Sequence, residues 1–231
     1  MNTTDQPRIL ALIPAYNEGA RVAGVVTATQ RYLPVLVVDD GSTDDTAAHA
    51  ESAGATVLHQ VPNQGKGAAL RAGFRRALDE EYDAVVMLDA DGQHDPTEIP
   101  AFLGLFAAHQ PDLIIGERNF TRMPFPRNLT NTIGRWLFSW ALGQPVRDNQ
   151  SGYRLVSRRL METTLESSEA GFEFEVEMIV TCVQHGYRLA GVPIRTIYGG
   201  ETSHIRPWQH LKGYLRVMWQ TRRAVRQSRR V

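Results

Sequence analysis

A chain of 231 residues with 42% hydrophobic and 22% charged residues has the balance of a globular protein, which sets aside the disordered, fibrous and collagen-like classes. Its formal net charge is zero, yet from Arg206 onward one lysine and seven arginines occur with no acidic residue, so charge is segregated along the chain. One cysteine, Cys182 in the apolar run IVTCV, excludes an internal disulfide and reads as a buried, inert thiol.

The opening residues MNTTDQPR carry no signal-peptide pattern, and no uncharged apolar run approaches the ~20 residues of a spanning helix, so the expected location is cytoplasmic. Short β-branched runs then alternate with helical patterns. Strands are predicted at Arg8–Ile13, Val35–Asp39, Thr56–Gln60 and Ala84–Leu88, most of them followed by a helix. Strands separated by helices imply parallel pairing, hence a three-layer α/β fold with a mainly parallel central sheet and ligands at the carboxyl ends of its strands. The distinctive segments PAYNE, DDGSTDD, NQGKG and DADGQH follow these four strands in turn. Beyond His109 a strand is predicted at Leu113–Gly116, a Pro- and Arg-bearing loop from Arg118 to Arg127, and a helix from about Leu129 to Leu142. A strand at Tyr153–Val156, a helix through Glu175 to His185, a strand at Arg188–Tyr198 and a helical segment from Pro207 complete the pattern. Without repeats or a Pro-, Gly- or Ser-rich linker, residues 1–231 read as one domain, with 204–231 as its basic C-terminal tail.

DADGQH supplies two carboxylates, Asp89 and Asp91, two apart at the end of an apolar strand, with Ala90 between them. Hard oxygen ligands of this kind suit Mg²⁺ or Mn²⁺, which completes its shell with phosphate oxygens and water; an isolated pair reads first as a solvated turn, and its context changes that reading. Asp39 and Asp40 end the apolar run VLVV, where an aspartate left partly buried without a partner is costly, so both are candidates to accept hydrogen bonds from a base or ribose. Ser42, with Asp45 three residues on, also reads as a capping box for the next helix. Pro14, Ala15 and Tyr16 form a candidate wall for a nucleobase, with Glu18 reaching the sugar edge, or else a plain strand-to-helix turn. In NQGKG, Lys66 and the backbone N–H groups that open an amphipathic helix are candidates to meet a phosphate, although the glycine spacing is not that of a Walker P-loop.

These four segments, in this order, resemble family 2 glycosyltransferases from about Leu10 to at least Ile205. GERNF at 116–120, Arg127, RDNQSGYRL at 147–155 and PIRTIYGGETSHI at 193–205 resemble most the polyprenol-phosphate sugar synthases, the group containing dolichol-phosphate mannose synthase. The resemblance implies a GT-A fold, a nucleotide-sugar donor, a divalent metal and inversion at the anomeric carbon. It further implies that Asp39 contacts the nucleobase, that Asp89, Asp91 and Gln93 surround the metal, and that Arg118 and Arg127 meet phosphate groups. Where those synthases carry Ser-Lys in the last motif, this chain has Ser203-His204. Ser203 then falls at the acceptor phosphate; where the lysine would hold a diphosphate by charge, His204 either ligates the metal as neutral imidazole or does a weaker version of that holding.

Two acceptors remain open at this point. A polyprenyl phosphate is already anionic and needs orientation by arginines; a glycan or small-molecule hydroxyl needs a base, for which Asp148 is the first candidate, with Glu173 and Glu175 behind it. Asp91 is the other expected catalytic carboxylate, and Gln150, Ser151 and Arg154 are expected on the acceptor side. From Trp208 apolar residues recur at three- and four-residue spacing among arginines, the pattern of a basic amphipathic helix that lies on an anionic membrane surface or packs on the core. A peripheral place at the inner face of the membrane would suit a lipid acceptor. No nucleic-acid motif accompanies the arginines, so no nucleic-acid partner is expected.

Overall fold

A computed structural model describes residues 6–118, 136–166, 174–195 and Arg222. In chain order the first half comprises β1 (Ile9–Ala15), α1 (Val22–Thr29), β2 (Val35–Asp39), α2 (Thr46–Ser52), β3 (Thr56–His59), α3 (Lys66–Asp79), β4 (Ala84–Met87) and, after a 3-10 turn at Pro96–Glu98, α4 (Ile99–His109). The second half contributes β5 (Leu113–Arg118), helical residues 136–142 (α5), β6 (Arg154–Ser157), α6 (Arg158–Glu166), α7 (Phe174–Gln184) and β7 (Leu189–Ile194).

Among the described residues seven strands form one sheet in the order β3-β2-β1-β4-β6-β5-β7. The β3-β2-β1-β4 portion is parallel throughout, whereas β6 runs antiparallel to both β4 and β5, and β7 pairs parallel with β5. The expected mainly parallel sheet therefore carries one reversed strand. The chain builds β2 and β3 on one side of β1 and β4 on the other, so the crevice where strand order reverses opens between the carboxyl ends of β1 and β4.

Side-chain alternation divides the core into two layers. Leu10 and Leu12 of β1 join Val85 and Met87 of β4 in one apolar cluster with α3, α5, α6 and α7; Ala11 and Ile13 join Val86 and Leu88 in another with α1 and α4. On α3 the buried residues Ala69, Leu70, Gly73, Phe74 and Ala77 recur with helical spacing. A Cβ at Gly73 would stand 2.3 Å from Leu12 Cδ1, so this helix rests on β1 more closely than any side chain would permit.

Several local expectations require correction. Strand β5 runs on to Arg118, which therefore ends a strand rather than opening a loop. Helix α6 follows β6 directly, where the sequence pattern showed no helix. The capping box at Ser42 is absent: Asp45 is the N-cap residue of α2 without a side-chain bond, and the Ser42 hydroxyl accepts the N–H of Asn17 instead. Asp44 performs the local capping, accepting from Thr46 N–H at 3.1 Å and from Gly19 N–H at 3.0 Å. Half of the helix expected at Leu129–Leu142 lies outside the described residues and the other half, 136–142, is helical; of the helix expected from Pro207 only Arg222 is described.

Candidate functional site

Residues with chemical potential gather along one edge of the sheet, at the ends of β1, β2, β4 and β5. Because β6 is reversed, its beginning lies at this same edge, and Arg154 pairs in register with Met87 of β4. This brings Gly152 against Asp89, whose Oδ2 lies 2.7 Å from where a Cβ on that glycine would stand. Any side chain at position 152 would displace the carboxylate.

On the β1 and β2 side, Ala15 is buried, Pro14 is half-buried and Tyr16 is exposed, which gives the predicted wall an open aromatic face. Glu18 is tied locally, its N–H to Thr46 Oγ1 at 2.8 Å and its carboxylate to Arg21 at 3.1 Å. Asp39 is 5% exposed, accepts from Ser42 N–H at 3.2 Å and lies 3.7 Å from His59 Nδ1. Asp40 turns to the protein: its carboxylate accepts from Gln60 Nε2, Gln64 N–H and Gly65 N–H at 3.1, 2.9 and 2.7 Å. It holds the NQGKG loop, and so acts on Lys66 indirectly rather than offering its oxygens to a base or ribose.

Lys66, the first residue of α3, places its ammonium 2.6 Å from Asp89 Oδ1 and 2.8 Å from Glu175 Oε1. Burial opposes the charge on this lysine, but the two carboxylates outweigh it and raise its pKa above the ordinary value. Burial would likewise raise the Asp89 and Glu175 carboxyls. Lys66 above all, with Arg154, holds them below the ordinary carboxylate range instead.

Asp91 is half-buried and accepts the N–H of Gln93 at 2.9 Å, while Ala90 is buried between the two carboxylates. His94, the last residue of DADGQH, escaped the sequence-based selection. Its Nδ1 accepts the Asp89 N–H at 3.0 Å, and its ring packs on Tyr153, which stacks on Phe102. Burial, only partly opposed by Asp89 and Asp91, depresses the His94 pKa, and a neutral ring is what a nitrogen accepting an N–H requires. His94 thereby fixes the backbone that aims Asp89. The signal available beforehand was its place in the motif, not its chemistry.

Asp148, expected as a base, is 1% exposed and faces Arg118. Its Oδ2 accepts from Arg118 Nε at 2.6 Å and Arg118 N–H at 3.3 Å; its Oδ1 accepts from Arg118 Nη2 at 2.9 Å and from Gln150 N–H and Ser151 N–H at 3.1 Å each. A carboxylate with five donors on it is built to orient an arginine and shape a turn. Gln150 is exposed, whereas the Ser151 hydroxyl is buried and has no hydrogen-bond partner among the described residues. Arg154, expected at a phosphate, is instead fully buried, and its guanidinium donates to the main-chain carbonyls of Ser151, Asn149 and Glu175. Burial lowers its pKa to about 10, against the pull of Glu175, Asp148 and Asp89, so it stays cationic at neutral pH. Burial pushes the Cys182 thiol up to about 12, in keeping with an inert cysteine. Arg127, Glu173, Ser203 and His204 lie outside the described residues.

With this geometry in hand, likeness to known proteins is informative. Residues 11–164 match the family model for glycosyl transferase family 2. Undecaprenyl-phosphate mannosyltransferase of Micrococcus luteus is 35% identical over 205 residues, spanning 81% of this chain and 82% of that protein. Polyprenol monophosphomannose synthase of Mycolicibacterium smegmatis is 31% identical over 203 residues, spanning 81% of this chain and 76% of the relative. Among solved structures, glucosyl-3-phosphoglycerate synthase from Mycobacterium tuberculosis, in complex with Mn²⁺, uridine diphosphate and glucosyl-3-phosphoglycerate, superposes with a TM-score of 0.69 at 23% identity, covering 93% of this chain and 78% of that one. This is a likeness of fold, and with the seven-stranded sheet it identifies the GT-A architecture. With its family match covering more than half its length and with relatives of this kind, the chain belongs to glycosyl transferase family 2, is similar within it to the polyprenol-phosphate sugar synthases, and is a glycosyltransferase.

Proposed function

We propose that this glycosyltransferase moves a hexose from a nucleotide-sugar of the GDP-mannose or UDP-glucose type to a polyprenyl phosphate, with inversion and with a divalent metal, Mg²⁺ or Mn²⁺. The observation that carries the reading is the carboxylate pair Asp89 and Asp91 at the end of β4, beside the point where strand order reverses. Two relatives named for undecaprenyl phosphate and polyprenol acceptors support the lipid.

The donor set suits the metal. Asp89 and Asp91 supply hard oxygens with Gln93 beside them, and a small divalent cation takes one or two carboxylates together with substrate phosphates rather than a closed protein cage. Among the described residues no group of three or more His, Cys, Asp or Glu forms such a cage. In this reading His204 is a further ligand. When bound, the cation offsets charge on the departing diphosphate. The chain's own residues do the rest: Pro14, Ala15 and Tyr16 flank the base, Glu18 reaches the ribose side, Asp39 accepts from the base, and Lys66 meets the diphosphate.

In the transfer, an acceptor phosphate oxygen forms a bond to the anomeric carbon from the face opposite the departing diphosphate. The bond between that carbon and the diphosphate oxygen breaks, and the nucleoside diphosphate leaves with the electron pair. An anionic nucleophile has no proton to lose, so orientation matters more than basicity. Arg118, clamped by Asp148, and Arg127 orient the acceptor phosphate, with Ser203 beside them. Gln150 and the Ser151 hydroxyl belong to the same acceptor side. The five donors on Asp148 favour this phosphate acceptor over a hydroxyl acceptor that would need Asp148 as its base.

Residues 1–231 act as one domain in this reading, peripheral to the inner face of the membrane. Trp136 and Trp140, one turn apart on α5, are 66% and 53% exposed, and the Arg222 guanidinium lies 3.5 Å from the Trp140 ring centroid. Exposed tryptophans with an arginine over one of them suit a headgroup layer of anionic lipids. No helix among the described residues is long and apolar enough to cross a membrane.

The test is transfer of label from a panel of radiolabelled GDP- and UDP-sugars, with Mn²⁺, into organic extract in the presence of a short polyprenyl phosphate. Metal-dependent extraction, lost in Asp91→Ala, is the expected result. Nucleotide-sugar binding with label passing only to soluble hydroxyl acceptors would overturn the lipid assignment.

A further inference from the structure

Glu175 reaches the site from α7, a separate element from the loop after β4 that carries Asp89, and both carboxylates converge on the Lys66 ammonium at 2.8 and 2.6 Å. Lys66 keeps 42% of its side chain exposed, so it sits at the rim of the crevice and has room to turn outward. Asp89 does not share that freedom. One of its oxygens is on the ammonium, the other faces the main chain at Gly152, and its own N–H is bound to His94. A divalent cation approaching Asp89 meets a positive charge already seated on the carboxylate, and two cations on one carboxylate repel.

We infer that Lys66 is a displaceable internal counter-ion, which occupies Asp89 while the donor site is empty and leaves it for the diphosphate when metal and nucleotide arrive together. The inference rests on the donor-site reading above. Glu175 is then a positioning residue. It keeps the ammonium at the crevice when Asp89 is given up, so that the lysine has a short path to the phosphate oxygens. The arrangement couples two ligands. Metal alone must draw Asp89 away from Lys66 and leave the ammonium on Glu175 beside a divalent charge, whereas a nucleoside diphosphate receives the lysine and supplies the cation with further oxygens. By linkage, each ligand then raises the affinity for the other by the same factor.

The test is Mn²⁺ binding to the full chain, followed by the electron paramagnetic resonance signal of free Mn²⁺, alone and with saturating GDP or UDP. For the wild-type chain, weak binding of Mn²⁺ alone and a rise of about tenfold or more with the better nucleotide are expected. In Lys66→Met, affinity for Mn²⁺ alone rises about fivefold or more and the nucleotide effect shrinks. The double variant Lys66→Met/Glu175→Gln, which also removes the second unpaired carboxylate, shows the same change and guards against misfolding of the single variant. Unchanged or weaker binding of Mn²⁺ alone in both variants, with nucleotide-dependent binding intact, overturns the counter-ion and leaves the donor site standing. Absence of Mn²⁺ binding in every chain, with or without nucleotide, overturns both.

Discussion

Asp89 and Asp148 stand at the same edge of the sheet, in regions built differently. Asp89 follows the parallel strand β4, keeps 29% of its side chain exposed and pairs with a lysine at the rim of the crevice. Asp148 lies in the loop that leads into the antiparallel strand β6, is 1% exposed and is enclosed by Arg118 and two backbone N–H groups. Nearby Arg154 shows the same inward use of charge, on three carbonyls. The difference stems from backbone supply. The turn after β4 leaves its carboxylates facing the crevice, whereas the loop that doubles back into β6 has main-chain groups to satisfy and uses Asp148 and Arg154 for them, as the turn after β2 uses Asp40.

The sharpest way to break the parallel side is Asp91→Ala. Transfer should fall by about 10²–10³-fold with the unfolding midpoint nearly unchanged, since the half-buried carboxylate is an electrostatic element more than a structural one. If the midpoint fell with activity, Asp91 would belong with Asp148. The converse holds for Glu177→Ala on α7. Arg71 Nη2 donates to both Glu177 oxygens at 2.7 Å, Glu177 is 4% exposed, and losing it should cost about 3 kcal/mol in denaturant unfolding. Asp148→Asn sharpens the comparison directly. It should lower stability by about 2 kcal/mol and raise the KM for polyprenyl phosphate, leaving the pH profile of kcat in place; a profile that loses a basic limb would return Asp148 to the role of base.

The smallest effect is expected at Asp112, outside the site, where the carboxylate accepts from Arg159 Nε and Nη2, Arg188 N–H and Ser157 Oγ. Burial would raise its pKa, but Arg159 and the other donors hold it below the ordinary aspartate value. Its contribution is therefore present above that value and lost as pH falls through the lower folded one. Asp112→Asn should unfold at lower urea than wild type at pH 7, by about 1 kcal/mol, and the two curves should converge in acid.

Much of this was legible in the residues. The expected strands became β1 to β4, the first running on through Pro14 and Ala15, because β1, β2 and β4 are short apolar runs buried in a parallel sheet, whereas TVLH forms a half-exposed edge strand. The second half resisted reading for a physical reason. Nothing in RDNQSGYRL announces that β6 runs antiparallel, that Gly152 must admit Asp89, or that Arg118 rather than Arg147 or Arg154 is the partner of Asp148. Ser42 and Asp45 likewise matched a capping box, yet the Ser42 hydroxyl went to Asn17, a residue 25 positions away in the chain.

By itself, then, the sequence determined the layered α/β class, the parallel first half and the carboxylate pair of DADGQH, since each depends on periodicity or on neighbours within a few residues, while its motifs carried the resemblance to the family. Only the tertiary structure decided which charges face the crevice and which face the protein. Ion pairs such as Lys66 with Glu175 and Arg118 with Asp148 join elements far apart in the chain, and partner choice among many carboxylates and cations is set by where the sheet's edge brings them together.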